Sequence, residues 1–324
     1  MIVLTCPICL TCLENINDIY SCPTFCATWK FNDDILIPLS GTQDNHSGYS
    51  EEFFDQYHHN ERSSTRLDSP WWLQLELMNP DDIIFDFIAN NKPQVVIEIG
   101  CGIGDNLRTV RRAHPQVAQL IGCDVSLQSL IKAKVNLEKN LDKASTLLVH
   151  SEASHLPLQR HSADLVLLIN VLHHATDLSL IKDAANLVRP GGTVLIVDIS
   201  SNNFINNIAR FLWPFLPRLL RRRFSHDLLV EDAAPKVNLV VMDALDNISN
   251  LSGLFLYRRE SKGLYLFVLQ NLCVLFPTLA DWIPRAAWLS FASLERLALS
   301  VPLFSKRAAV FSVFYRRATP NPTK

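Results

Sequence analysis

The sequence lacks an excess of charge of either sign, a long apolar run and a basic N-terminus. Its 30 Lys and Arg residues nearly balance 32 Asp and Glu residues, for a net charge of −2. That balance gives no global attraction to nucleic acid, although a local basic patch could still bind it. The apolar stretch 264–276 is too short to span a membrane, and residues 1–10 lack the basic start of a signal peptide. We therefore expect a cytoplasmic protein.

Residues 95–104, with the sequence VVIEIGCGIG, form the most informative segment. An apolar β-branched run followed by a glycine turn is typical of a buried parallel strand whose carboxyl end opens onto a nucleotide-like ligand. A dinucleotide site requires G-x-G-x-x-G, and here the third glycine comes one residue early. Glu98 would repel a phosphate but attract a cation. Because S-adenosylmethionine carries a sulfonium and an ammonium group, the segment predicts a methyl-donor site at Glu98, Gly100, Gly102 and Gly104.

Four further strand-like segments alternate with helical stretches over 126–141 and 178–187. The second strand ends at Asp124, beside Val125, where a carboxylate can accept from both ribose hydroxyls. The third ends at Glu152 and Ala153, where Glu152 is placed to accept from the adenine amino group. The fourth ends at Asn170, and a Pro-Gly-Gly turn leads into the fifth. This order predicts a doubly wound α/β sheet.

The ordered segments EIGCGIG, CDVS, SEASHLPL, ADLVLLINVLHH and LVRPGGTVLIVD resemble the class I S-adenosylmethionine-dependent methyltransferases. Within that family they are most similar to the group that includes quinone and other small-molecule methylases. The resemblance covers residues 93–200 and implies a Rossmann-like seven-stranded sheet whose last strand, here 308–315, is antiparallel. The family commonly has Asp-Ala where this chain has Glu152-Ala153, a longer carboxylate that could still reach the adenine.

Catalysis of in-line methyl transfer requires mainly that the acceptor atom be positioned behind the methyl group, together with a base if the acceptor must lose a proton. Asn170, at the mouth of the fourth strand, is placed to line the donor or the acceptor. His173 and His174 follow it, and an imidazole is a plausible base near neutral pH. On such a turn one ring faces the pocket and the other packs or faces solvent. We select His174, with Asn170, as the catalytic candidates.

Five of the eight cysteines lie within the first 26 residues. In a reducing cytosol such clusters rarely form disulfides. The pairs Cys6-x₂-Cys9 and Cys22-x₃-Cys26 could place four thiolates around a structural Zn²⁺. The segment resembles the zinc ribbons at the front of some methyltransferases. The second pair is one residue longer than usual and neither turn contains a glycine, so Cys12 as a substitute ligand and a metal-free ribbon remain alternatives.

These patterns divide the chain into four parts. They are a zinc-ribbon-like module (1–40), a linker with N-terminal cap helices (41–92), the S-adenosylmethionine-binding core (93–200), and a lid segment with C-terminal helices and strands that complete the sheet (201–324). Within the last part, apolar residues recur at intervals of three and four over 204–224, among several arginines. We favour a lid over the acceptor pocket. The alternative is an amphipathic segment that contacts an anionic membrane at its periphery.

The leading prediction is a methyltransferase that acts on a small or lipid-like acceptor. One alternative is an RNA base methyltransferase, since similar ribbons precede domains that modify ribosomal RNA; against it, Lys30 is the single cationic residue among the first forty. The other is a catalytically silent binding partner, against which the intact Glu98, Asp124 and glycines argue. The sequence leaves the acceptor atom and the oligomeric state open.

Overall fold

The computed structural model describes residues 3–40, 80–138, 146–175, 178–200, 242–262, 277–301 and 310–319, with Leu269, Cys273, Phe304 and Ala308. The predictions made for most of the linker and for the lid segment 204–224 lie outside these residues. Among the described residues, no helix has both the length and the apolar character that a membrane crossing requires.

The described strands form one sheet. They are β1 (Glu14–Ile16), β2 (Ile19–Ser21), β3 (Thr28–Asn32), β4 (Ile35–Ser40), β5 (Val95–Ile99), β6 (Gln119–Asp124), β7 (Thr146–His150), β8 (Ala163–Ile169), β9 (Val188–Ile199), β10 (Leu254–Lys262) and β11 (Val310–Arg317). Their order across the eleven-stranded sheet is β1-β2-β3-β4-β7-β6-β5-β8-β9-β11-β10.

The described helices are α1 (Pro80–Asn91), α2 (Asp105–Ala113), α3 (Leu127–Glu138), α4 (Ser179–Leu187), α5 (Met242–Leu251), α6 (Pro277–Trp282) and α7 (Arg285–Leu299). Short 3₁₀ turns occupy Ala153–His155 and Leu172–His174. The helical stretches predicted over 126–141 and 178–187 correspond to α3 and α4.

The centre of the sheet is parallel, as the alternation of strands and helices predicts. Strands β7, β6, β5, β8 and β9 pair in parallel with their neighbours. Successive side chains point to opposite faces and are buried on both, Val96 and Leu165 on one face and Ile97 and Val166 on the other. Burial of both faces explains why these strands are near-continuous apolar runs. Phe87 of α1 stacks on Phe314, with ring centroids 5.4 Å apart, and covers one face.

The last strand is antiparallel, which confirms the prediction. Strand β11 pairs antiparallel with β9, with Val313 opposite Ile196, and also antiparallel with β10. It begins and ends two residues later than the predicted segment 308–315. The predicted Pro-Gly-Gly turn is a bulge inside β9, because Ala163 pairs with Val188 while Leu165 pairs with Thr193. Gly191 has a φ of 77° within that bulge.

The N-terminal strands are part of the main sheet, whereas the sequence suggested a small separate module. Strands β1 to β4 pair antiparallel with one another. Strand β4 then pairs in parallel with β7, with Ile35 opposite Leu148 and Leu36 opposite Val149. Both Ile35 and Leu36 are buried. The pairing satisfies backbone groups of β7 that would otherwise form an open sheet edge.

Candidate functional site

A glycine turn at the carboxyl end of β5 forms the centre of the candidate site. Gly100, Gly102 and Gly104 have φ values of 72°, 50° and 82°, in the left-handed region that glycine adopts without a Cβ penalty. The backbone N–H groups of Gly100 and Cys101 donate to the carbonyl of Cys123, at 2.8 and 3.0 Å. The turn is therefore held against the end of β6, directly before α2 begins.

Gly100 also permits a close approach to the fourth strand of the core. A Cβ atom added to it would lie 2.6 Å from Cγ2 of Val171. The glycine turn thus packs against the residue that follows Asn170. The turn predicted to bind the methyl donor therefore lies beside the residue predicted to line the donor or the acceptor.

Glu98 is fully buried beneath the glycine turn. Its Oε1 accepts a hydrogen bond from Nδ2 of Asn106 at 2.6 Å, which joins β5 to the first turn of α2. Asn106 was not among the residues predicted from the sequence. Its position as a polar residue in the first turn of the helix after the glycines could have indicated it. Glu98 therefore fixes the turn, and its contact with a donor stays a prediction.

Asp124 connects the ends of β5 and β6. Its Oδ2 accepts from the backbone N–H of Gly102 at 2.7 Å, and its Oδ1 accepts from that of Ser126 at 2.9 Å. These two bonds hold the carboxylate at the carboxyl end of β6, and its contact with ribose hydroxyls stays a prediction. The carboxylate of Asp124 thus positions the glycine turn.

The segment that contains Glu152 is tied to Asp124 and Val125. The backbone N–H of Ser151 donates to the carbonyl of Asp124 at 3.1 Å, and Nε2 of His150 donates to that of Val125 at 2.9 Å. The Ser151 hydroxyl contacts the carbonyls of Glu152 and His155, both at 3.1 Å. The predicted residues Glu98, Asp124, Val125, Glu152 and Ala153 therefore lie at the carboxyl ends of adjacent parallel strands, where ligands of doubly wound sheets bind.

The turn after β8 carries a histidine and carboxylate pair that the sequence did not reveal. Asn170 has a φ of 53° and donates its backbone N–H to Val197 at 2.8 Å. His173 Nδ1 lies 2.6 Å from Oδ1 of Asp198, which is fully buried. Asp198 also accepts from the backbone N–H groups of Leu172 and Ile199, at 2.8 and 2.7 Å. The sequence did contain one indication of this pair, because Asp198 is an acidic residue at the end of the fifth core strand.

His174, the residue selected from the sequence, packs against His173. The two ring centroids lie 3.9 Å apart, with the planes tilted by 48°. Both histidines are half-buried. A base role for either ring stays a prediction, and the carboxylate contact distinguishes His173 from His174.

The N-terminal module brings together the four cysteines named from the sequence. The sulfur atoms of Cys6, Cys9, Cys22 and Cys26 all lie within 4.8 Å of one another. Ligands of a tetrahedral zinc ion with Zn–S bonds of about 2.3 Å lie about 3.8 Å apart, so the group fits this metal. Cys12, the alternative ligand, is exposed and is not in this group.

Two threonine hydroxyls contact the cysteine sulfurs. Thr24 Oγ1 lies 3.2, 3.0 and 3.2 Å from the sulfurs of Cys9, Cys22 and Cys26. Burial opposes ionisation of Cys22, but hydrogen bonds from Thr24 and Thr11 outweigh it and lower the pKa of this thiol to about 5. A thiolate is the form that binds a metal ion.

Residues 97–196 match the family model described as a methyltransferase domain. A demethylmenaquinone methyltransferase from Oceanobacillus iheyensis is 25% identical over 148 residues, covering 44% of this chain and 62% of that protein. A ubiquinone biosynthesis O-methyltransferase from Vibrio cholerae is 31% identical over 112 residues, covering 33% of this chain and 42% of that protein. Residues 97–196 therefore form a methyltransferase domain.

Solved structures share the fold of this methyltransferase domain at low sequence identity. The cyclopropane synthase MmaA2 from Mycobacterium tuberculosis has a TM-score of 0.53 at 12% identity, covering 85% of this chain and 100% of that one. Magnesium protoporphyrin IX methyltransferase from Synechocystis PCC 6803, with bound SAH, has a TM-score of 0.52 at 11% identity, covering 83% and 95%. This chain spans about three fifths and two fifths of the lengths of the two curated relatives, 62% and 42%.

Proposed function

We propose that this chain catalyses methyl transfer from S-adenosylmethionine to a small or lipid-like acceptor. The proposal is carried by one observation: Glu98, the glycine turn and Asp124 meet at the carboxyl ends of β5 and β6, beside the His173–Asp198 pair. The match to a methyltransferase domain and the relatives named as quinone methyltransferases support it.

The residues present fit the donor's chemistry. A fully buried carboxylate, Glu98, suits its cationic end, and Asp124 and Glu152 suit its ribose hydroxyls and its adenine amino group. Gly100 and Gly104 let the glycine turn pack closely, because an added Cβ would lie 2.6 Å from Val171 and 3.2 Å from Ala133. When bound, S-adenosylmethionine supplies a methyl group on a sulfonium leaving group. The chain's task is then to hold the acceptor atom in line with that methyl group.

His173 is proposed as the group that takes a proton from the acceptor. Asp198 accepts a hydrogen bond from Nδ1–H, which leaves the lone pair of Nε2 to accept that proton. The buried carboxylate also keeps the ring oriented and stabilises the imidazolium that forms. This pairing favours His173 over His174 for the role, while Asn170 remains the residue proposed to line the acceptor or the donor.

For the N-terminal module we propose a structural zinc ion held by Cys6, Cys9, Cys22 and Cys26. The grouping of four sulfurs within 4.8 Å supports the assignment. Metal analysis of protein produced with ample zinc should find close to one zinc ion per chain. Zinc-free protein with an ordered module would instead favour the metal-free ribbon.

The test of the activity combines binding with labelling. The purified chain is titrated with S-adenosylmethionine by calorimetry and then incubated with methyl-labelled donor and three cell extracts, containing lipids, small molecules and RNA. We expect donor binding and label in the lipid or small-molecule extract, and Asp124→Ala should weaken the binding and reduce the label. Absence of donor binding would contradict the proposal, and label confined to RNA would replace it with the RNA alternative.

A further inference from the structure

The N-terminal segment beside the first cysteine pair is bonded to the loop that follows Glu152. Thr5 donates its backbone N–H to the carbonyl of Pro157 at 3.1 Å, and Gln159 donates to Val3 at 3.1 Å. Between these bonds, Leu4 and Leu158 form an isolated antiparallel bridge. Cys6 is the next residue along the chain, so one ligand of the proposed zinc ion directly follows this contact.

The loop that follows Glu152, to which the N-terminal segment is bonded, is short and contains hydrogen bonds of its own. The backbone N–H of His155 donates to the carbonyl of Glu152 at 3.1 Å. The Ser151 hydroxyl contacts the carbonyls of both residues. Leu156 and Leu158 are buried beneath it. A displacement of residues 157–159 would therefore move Glu152, the residue proposed to meet the adenine.

The same module holds two further elements on this side of the donor site. Strand β4 pairs with β7, which leads into Ser151 and Glu152. Lys134 of α3 donates to the carbonyl of Asp33 at 2.7 Å and lies 3.2 Å from Oδ2 of Asp34. Helix α3 begins shortly after Asp124. These contacts surround the ribose and adenine side of the site, whereas Glu98 and the His173–Asp198 pair lie farther along the sheet.

The module has little apolar core of its own. The residues of β1 are all exposed, and most residues of β2 and β3 are exposed or half-buried. A unit of about forty residues rarely folds on its hydrophobic core alone, and in such units metal binding supplies folding free energy. We therefore expect the four-cysteine site to contribute to the order of the segment from Val3 to Cys6, beside the packing of Leu4 on the main core.

We propose that a zinc ion bound by Cys6, Cys9, Cys22 and Cys26 strengthens S-adenosylmethionine binding, because it orders residues 152–159 on the adenine side of the donor site. This inference rests on the proposed function. Coupling between two binding sites typically changes affinity by about 5- to 150-fold, and it is reciprocal. Bound donor should therefore slow the loss of zinc to a chelator.

The first experiment measures the affinity of the full chain for S-adenosylhomocysteine and for adenosine by calorimetry. It compares zinc-loaded, chelator-treated and zinc-restored protein. We expect both affinities to fall at least 5-fold on zinc removal, by similar factors, and to return with zinc. Cys9→Ser should reproduce the loss, while Cys12→Ser, which changes an exposed cysteine outside the group, should not. Amide exchange should rise over 155–159 and stay unchanged over 98–106.

A second pair of variants covers the case in which zinc removal unfolds the whole chain. Gln159→Pro removes the backbone donor to Val3 and keeps all four cysteines, whereas Gln159→Ala keeps that donor. We expect Gln159→Pro to retain zinc yet bind S-adenosylhomocysteine more weakly, with Gln159→Ala unchanged. Equal affinity in zinc-loaded and zinc-free folded protein, or in both Gln159 variants, would overturn the coupling. A zinc-loaded wild-type chain that binds neither ligand would overturn the proposed function instead.

Discussion

His173 Nδ1 lies 2.6 Å from Oδ1 of the buried Asp198, across the ends of two adjacent parallel strands. Asp198 also accepts hydrogen bonds from three backbone N–H groups, those of Leu172, His173 and Ile199, so its carboxylate is fixed in place. A carboxylate held in this way keeps the proton of the neutral imidazole on Nδ1 and its lone pair on Nε2. This contact is the basis for proposing His173 as the base.

This pairing predicts unequal effects of the two histidine substitutions. His173→Ala should lower kcat by about 100-fold or more, the usual contribution of a general base, with a smaller change in KM. Asp198→Asn should also lower kcat, because the amide can hold the opposite tautomer. Steady-state kinetics test this, with unchanged S-adenosylhomocysteine affinity as the control. Full activity of His173→Ala combined with an inactive His174→Ala would return the role to His174.

A second prediction concerns the two carboxylates of the donor site. Asp124→Ala should weaken S-adenosylhomocysteine binding by about 10- to 100-fold, on the order of 1–3 kcal/mol, because it also releases the backbone N–H of Gly102. Glu98→Gln keeps an acceptor for Asn106 while removing the charge, so it isolates the charge effect. Calorimetry measures both, and circular dichroism controls for folding. Unchanged titration curves for the two variants would refute the assignment.

Two glycines with similar backbones offer a matched test of the close approach at Val171. Gly100 and Gly253 have φ values of 72° and 75°, but an added Cβ meets Val171 at 2.6 Å only at Gly100 and nothing within 4 Å at Gly253. Gly253→Ala should lower the free energy of unfolding by about 1–2 kcal/mol and spare donor binding. Gly100→Ala should lower the free energy of unfolding by a larger amount and should also weaken donor binding. Equal destabilisation with normal binding in both would contradict the packing.

A fourth prediction concerns the reactivity of the cysteine thiols. Burial, reinforced by the charges of Asp124 and Glu98, raises the pKa of Cys101 and Cys123. Hydrogen bonds from Thr11 and Thr24 lower the pKa of the exposed Cys9 to about 7. Because thiolates react and thiols do not, alkylation at pH 8 should label Cys9 rapidly in metal-free protein and spare Cys101 and Cys123.

Peptide mapping by mass spectrometry measures that labelling site by site. Zinc should protect Cys9 and leave the exposed Cys12 reactive. Labelling of Cys101 or Cys123 in the native protein at the rate seen in denaturant would contradict their burial. Equal labelling of Cys9 with and without zinc would contradict the metal site.

Residues 204–224 remain a predicted lid. Deleting them should leave affinity for S-adenosylhomocysteine nearly unchanged and abolish turnover, because a lid contributes to the acceptor pocket. Retained activity on the acceptor would reject the lid. Sedimentation of the chain with anionic vesicles, lost on the same deletion, would favour the membrane alternative.

Local sequence determined much of this protein. The apolar runs and glycine turns located β5 to β9. The acidic residues at or near the ends of these runs, Glu98, Asp124 and Glu152, were predicted as site residues from that position. These features follow from side-chain periodicity and from backbone angles that only glycine adopts readily, and both are properties of short segments. The spacing of the cysteine pairs likewise selected the four residues that the structure groups together.

The tertiary structure decided which of these segments meet. The pairing of Ile35 with Leu148 joins the N-terminal strands to the main sheet, and the fold brings His173 into contact with Asp198. The bond from Asn106 to Glu98 shows that a residue predicted for the donor also supports the turn above it. Such contacts join separate elements of the chain. They depend on strand order and edge pairing, which the periodicity of an isolated segment does not encode.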